Sequence, residues 1–304
     1  MTKYKGGGLK MPAPPQMTLF GDVFDDRRIN VYHDESEIKK KGYLLIGLVY
    51  MPQHKLNYVY ETLHKVRDKY EYYGEIHFRK LNGKPNHPKS LKEKVAIEWM
   101  DKYLDTLHRN VKFSALIVDQ KSPSFMRGNF KENFHIYNRF TALAIKAGIK
   151  KFYSNYPEIT LKIYSDSKDR KTSPTGELLD NFDKYVPFRV WMDSILEKLN
   201  RRIAIPKIRF EKDPLVLVNS SEKSPDGELI QLTDLLLGSL KQVIEPSKKP
   251  TKLELGKKMF NILYADKDLS PNWKYIKTSV QLWRFPDEDG RPTNDFPVGI
   301  LKYF

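Results

Sequence analysis

One short run of this chain passes from strand-forming residues straight into acid. Ile29-Asn30-Val31-Tyr32-His33-Asp34-Glu35-Ser36 carries Ile29, Val31 and Tyr32, which suit a pleated, half-buried surface, and then delivers Asp34 and Glu35 where the strand is expected to end. Residues 42–51 (GYLLIGLVYM) follow a polar loop and read as the antiparallel partner. A carboxylate at the tip of a central strand is costly to desolvate unless something positive meets it. A lysine, a helix N-terminus or a metal ion would serve, and the rest of the chain has to supply it.

Strand and helix patterns alternate from there on. A helical stretch over 55–71 leads to a short extended piece, Glu75-Ile76-His77-Phe78, and a Gly/Pro/Asn loop at 82–88. Ser90 with Glu93 three residues later is a capping-box signature, and the helix it opens is expected to run to about 110. Residues 111–118 (VKFSALIV) read as a buried strand closed by Asp119, 130–152 as a helix, and 159–164 as a strand running into Asp166. A helix over 174–199, short strands at 208–210 and 215–218, helices over 225–244 and 252–264 and an irregular Pro-rich tail complete the reading. Such alternation predicts a layered α/β domain.

Three apolar strands therefore run into Asp34, Asp119 and Asp166, and in an open α/β sheet sites gather at the carboxyl ends of strands. The helix over 225–244 adds a fourth acid. Gln231 and Asp234 are three apart and share a face, while Leu229, Ile230, Leu232, Leu235, Leu236 and Leu237 surround them. A helix this apolar is buried, so Asp234 needs a partner. A lysine would make a structural ion pair; a divalent metal shared with Asp34 and a second strand acid is the preferred reading. Carboxylate oxygens without a His/Cys cage suit Mg²⁺ or Mn²⁺. Two such ions about 3.5–4 Å apart would activate a water and stabilise the leaving oxygen of a phosphodiester.

Composition supplies the substrate side of that reading. The formal net charge is +15, from 53 Lys+Arg against 38 Asp+Glu, which favours DNA or RNA as partner; the plainer reading is a solvated lysine-rich surface. There is no cysteine, which excludes disulfides and Cys-based zinc sites. No apolar run is long enough to span a bilayer, and the Gly/Pro/Lys-rich N-terminus lacks a signal-peptide core. A cytoplasmic protein without membrane attachment is expected, self-association and protein partners being left open.

The Asp34-Glu35-Ser36 strand paired with Gln231-Leu232-Thr233-Asp234 on a late apolar helix resembles the family catalogued as domain of unknown function 3800. The segment 216–220 (VLVNS), leading to Lys223, resembles the strand and Ser-rich turn that precede the second motif there. The resemblance covers about 29–243. It implies a ribonuclease-H-like mixed sheet with helices on both faces, here with a helical insertion, over residues 28–244. A flexible basic arm (1–27) and a C-terminal helical and irregular extension (245–304) would flank it. By analogy of fold it implies a metal-dependent nuclease, in a setting such as bacterial defence. Asp34, Asp166 and Asp234 would be the metal ligands, with Glu35 and Gln231 joining them in the catalytic set. Ribonuclease-H topology favours Asp119 as the third acid, the family resemblance Asp166. Strand alternation puts Glu35 opposite to Asp34 unless the strand breaks at His33. Glu75 would be a further carboxylate or part of an edge strand, His77 a substrate or proton-transfer residue, and Lys223 a phosphate contact or a partner of Asp234. The alternative is a non-catalytic nucleic-acid-binding or partner-binding module of the same fold, its acids tied up by lysines.

Overall fold

The computed structural model describes residues 27–167, 179–199, 205–264, 278–287 and 289–303. Six strands form a mixed sheet: β1 (Arg28–Ile38), β2 (Tyr43–Pro52), β3 (Lys112–Asp119), β4 (Glu158–Asp166), β5 (Lys207–Val218) and β6 (Val280–Phe285). Their order is β5-β4-β1-β2-β3-β6. β2 runs antiparallel to β1 and to β3, whereas β1–β4, β4–β5 and β3–β6 are parallel pairs. β1 therefore lies inside the sheet, flanked by β2 and β4.

Helices cover both faces. α1 (Leu56–Tyr70), α2 (Leu91–Asp105), α5 (Pro225–Ile244) and α6 (Pro250–Leu263) share one core with one face of the sheet. α3 (Asn133–Tyr153) and α4 (Phe182–Leu199) build the other. Strand alternation sorts β2 between them: Leu45, Val49 and Met51 enter the first core, Leu44, Ile46, Leu48 and Tyr50 the second. Among the described residues no helix is long and apolar enough to cross a membrane.

α5 is the central helix of its layer. Ser224 caps it by accepting the Gly227 amide at 3.1 Å, and Pro225 opens it, as helix-start chemistry prefers. Past its first turn it is buried at every position except Asp234 and Lys241. Gly47 of β2 lets it approach the sheet, since a methyl group there would press on the Leu237 side chain. Gly238 does the same for Phe78, whose ring fills the space a side chain would take.

Several expectations need correction. β1 does not end at the acids; it continues four residues past Asp34, still paired with β2 through Ile38↔Tyr43. The expected strands at 208–210 and 215–218 are one strand, β5, whose register against β4 jumps from Leu161↔Phe210 to Ile163↔Leu215, the charged Glu211-Lys212-Asp213 run lying in that irregularity. The C-terminal tail contributes β6, parallel to β3 at the sheet edge; only six residues long and followed by proline, it left little pattern to read. Residues 75–77 belong to no strand. The start of the expected helix at 174 and the arm up to residue 26 lie outside the described residues.

Candidate functional site

Asp34 and Asp166 come from neighbouring strands. In the β1–β4 pair Tyr32 faces Tyr164 and His33 faces Ser165, so Asp34 and Asp166 occupy the next step of the same parallel register. Tyr32 and Tyr164 stack one pleat below them, ring centroids 4.9 Å apart. That face is the one α5 covers, and α5 brings Asp234 over it. The three acids line one narrow cleft with Glu75, Ile76, His77, Ser220 and Gln231. The cleft has a volume of about 20 Å³, room for one water-sized or ion-sized guest. Burial first, then the charges of Asp234, Glu35 and Asp166, push the Asp34 carboxyl well above its usual range.

The wall of the cleft is the segment 75–78, hung from α5. The Ile76 amide donates to Gln231 Oε1 at 2.7 Å, and the Phe78 amide donates to Asp234 Oδ2 at 2.7 Å. His77 Nδ1 lies 2.7 Å from the same Oδ2. An ionised carboxylate only accepts, so the hydrogen of this bond belongs to Nδ1. Both bonds land on Oδ2, which leaves Oδ1 of Asp234 available to a guest. Glu75 also reaches the cleft, where Lys80 Nζ meets it at 2.8 Å and Ser220 Oγ at 3.3 Å.

Gln231 is a crosslink. Its Nε2 donates to the Ser220 carbonyl at 2.5 Å, and its Oε1 accepts from Ile76 and from Arg67 Nη2 at 2.8 Å. With both ends of its amide committed and its side chain buried, it positions the cleft wall instead of presenting a ligand atom. Arg67 is the residue that sequence reasoning missed. From α1 its guanidinium pairs with Glu228 at 2.6 Å, donates to the Gly74 carbonyl at 2.7 Å and lies 4.7 Å from the Trp99 ring centre. A signal was present: Val59, Leu63 and Arg67 fall at i, i+4, i+8, which sets an arginine on the apolar stripe of α1.

The opposite face of β1 is a second polar cluster. His33 is fully buried beside Phe182, with Nδ1 2.9 Å from Ser165 Oγ. Tyr137 of α3 lies 3.2 Å from His33 Nε2 and donates to Glu35 Oε2 at 3.0 Å. β1 stays regular through this stretch, so Glu35 points away from the cleft, and its place in the catalytic set is corrected to a contact with α3. The His33–Ser165 bond ties β1 to β4 one residue before the two aspartates.

Two other candidates stand elsewhere. Asp119 ends β3, separated from β1 by β2; its carboxylate accepts the Lys121 amide at 3.1 Å and meets Arg284 at 3.7 Å. It lines a different cleft of about 280 Å³ with Lys41, Tyr43 and Lys121. Lys223 is exposed on the turn before α5, and the groups that meet Asp234 are His77 and the Phe78 amide.

The chain matches no protein-family model and no curated protein sequence. The residues themselves bear on what the cleft accepts. Among the described residues no group of three or more His, Asp or Glu side chains forms a ready coordination shell. Four carboxylates nevertheless share one cleft, and Lys80 is engaged with Glu75. The four carboxylates, set beside the His77 imidazole, offer hard oxygens, the chemistry of Mg²⁺ and Mn²⁺, and their shared negative charge suits a cation.

Proposed function

We propose that the cleft binds a divalent cation, Mg²⁺ or Mn²⁺, through Asp34, Asp166 and Asp234, and that the protein is a metal-dependent nuclease of ribonuclease-H-like architecture, related to the domain of unknown function 3800 family. The observation that carries this reading is the register. Two aspartates stand side by side on adjacent parallel strands, and the helix that crosses their face brings a third. The central antiparallel β1–β2 pair with parallel β4 beside it, and helices on both faces, supports the architectural part.

Each side chain then has a task. Asp34 and Asp166 would hold the cation from the sheet, and Asp234 Oδ1 from the helix. Such a cation supplies, when bound, a nucleophilic water at neutral pH and charge stabilisation at the phosphoryl oxygens. Asp234 Oδ2 fixes the tautomer of His77, so that Nε2 can take a proton and return it to the departing oxygen. Gln231, anchored by Arg67, keeps the 75–78 wall at its distance. Lys80, already facing Glu75, adds positive charge beside the scissile phosphate.

A second reading is favoured by one observation: the acids are not gathered into a ready shell. In that reading the fold binds nucleic acid or a protein partner without chemistry. Labelled single-stranded DNA, RNA and a hybrid, incubated with wild type, Asp34→Ala and Asp234→Ala in Mg²⁺, Mn²⁺ or EDTA, separate the two. Cleavage is expected only with wild type and metal, with each substitution lowering the rate at least about 100-fold, in keeping with loss of a metal-positioning group. Binding without cleavage in any metal would sink the nuclease reading.

A further inference from the structure

Beside the acidic cleft lies a cluster of cations whose hydrogen-bond partners, among the described residues, are neutral oxygens. α5 exposes, past its first turn, only Asp234 and Lys241. These are seven residues apart, two helical turns on one stripe. Along β1, Asp34 and Ser36 share a face, and Lys241 Nζ lies 3.4 Å from Ser36 Oγ and donates to the Glu37 carbonyl at 2.6 Å. From α6, Lys252 donates to the Arg79 carbonyl at 3.1 Å and sits 5.1 Å from the centre of the Phe78 ring, whose own amide holds Asp234. Lys249 donates to Asn82 Oδ1 at 2.5 Å.

Each of these three lysines is thus anchored on a neutral oxygen and, among the described residues, makes no direct ion pair with an acid, although the charges of Glu245 and Glu37 act on Lys241 and that of Asp234 on Lys252. The lysine charges also oppose one another. Burial first, then the charges of Lys249 and Lys241, bring the Lys252 amine down to about 8. Lys241 is lowered by burial, with Glu245 and Glu37 opposing the fall and Arg79 adding to it. Cations assembled at this cost favour an arriving polyanion, and the chain's +15 charge raises its local concentration.

We propose that Lys241, Lys249, Lys252 and Arg79 form a docking collar for the sugar–phosphate backbone of a nucleic-acid strand that leaves the acidic cleft. The collar rests on the proposed reading of the cleft for its orientation, but its binding needs no metal. Phosphates would replace backbone carbonyls and Asn82 as partners of the amines, and release of their counterions makes affinity salt-dependent.

The test uses the full chain carrying Asp34→Asn, in EDTA, with fluorescein-labelled oligothymidylate and oligouridylate read by anisotropy over a series of salt concentrations. The collar variant Lys241→Gln/Lys249→Gln/Lys252→Gln is compared with Lys65→Gln/Lys94→Gln/Lys131→Gln, which removes the same charge at exposed positions elsewhere. Circular dichroism verifies the fold of both, and the exposed single variant Lys249→Glu repeats the test without touching a buried amine. The collar variant is expected to lose at least tenfold in affinity and about 2 units of salt slope, as three single-strand phosphate contacts require, and Lys249→Glu to weaken binding in the same direction, the control changing little. Equal losses in collar and control, no loss in either, or no oligonucleotide binding by the parent would overturn the collar. So would binding to phosphatidylserine vesicles that oligonucleotides do not displace. If the collar holds but no metal supports cleavage by wild type, the nuclease reading falls alone.

Discussion

Arg67→Met is expected to cost the fold about 3–5 kcal/mol, the usual result of removing one partner from a buried ion pair. The guanidinium and the Glu228 carboxylate are almost fully covered, at 3% and 6% side-chain exposure. Burial already pushes Glu228 up, and Arg67 is the largest influence holding it down. Without Arg67 the carboxylate must protonate or draw in water, and the Gly74 carbonyl and Gln231 Oε1 each lose a donor. Urea unfolding followed by circular dichroism measures the loss. Arg67→Met combined with Glu228→Leu should recover a large part of it, because no uncompensated charge is then left inside. A single variant within about 0.5 kcal/mol of wild type, the ordinary scatter of a surface change, would show that the network does not hold the cleft wall.

Asp34→Asn is expected to act in the opposite direction on stability. The Asp34 carboxyl is higher in the folded chain than its usual value because burial and then Asp234, Glu35 and Asp166 oppose its ionisation. The folded state therefore holds a proton that the unfolded chain has released. This group's contribution falls as pH rises from about 4, the unfolded value, through the folded value, and the penalty is complete above it. In EDTA at neutral pH the asparagine variant should gain about 1–2 kcal/mol, the range that relieving a functional site returns, or roughly 2–6 °C in Tm. The gap should close as pH is lowered toward 4. Divalent cation should raise the Tm of wild type and leave that of the variant unchanged. Equal Tm values across this pH range would show that the acids are not opposing one another.

The residues foretold much of the frame because local signals agreed there. Ser90 with Glu93 forms the capping box, and Ser224 with Pro225 starts α5 where helix-start chemistry places it. The regular alternation of β1 separates Asp34 from Glu35 on spacing alone, and the structure puts Tyr137 against the latter. Register was beyond reach. That Asp166 and not Asp119 sits beside Asp34 depends on β4 pairing with β1 while β2 intervenes before β3, and spacing along a chain does not encode strand neighbours. Gln231 drew attention as a candidate for chemistry, but its role depends on Arg67, 164 residues away. β6 was missed because an edge strand of six residues borrows its order from β3.

Calorimetric titration of Mn²⁺ into wild type, Asp34→Asn and Asp166→Asn bears most directly on the claim that the acids of β1, β4 and α5 form one cation site. Saturable binding by wild type, weakened at least tenfold by either substitution and unaffected by Asp119→Asn, is the predicted result. Binding that survives both substitutions, or is lost with Asp119→Asn instead, would contradict it.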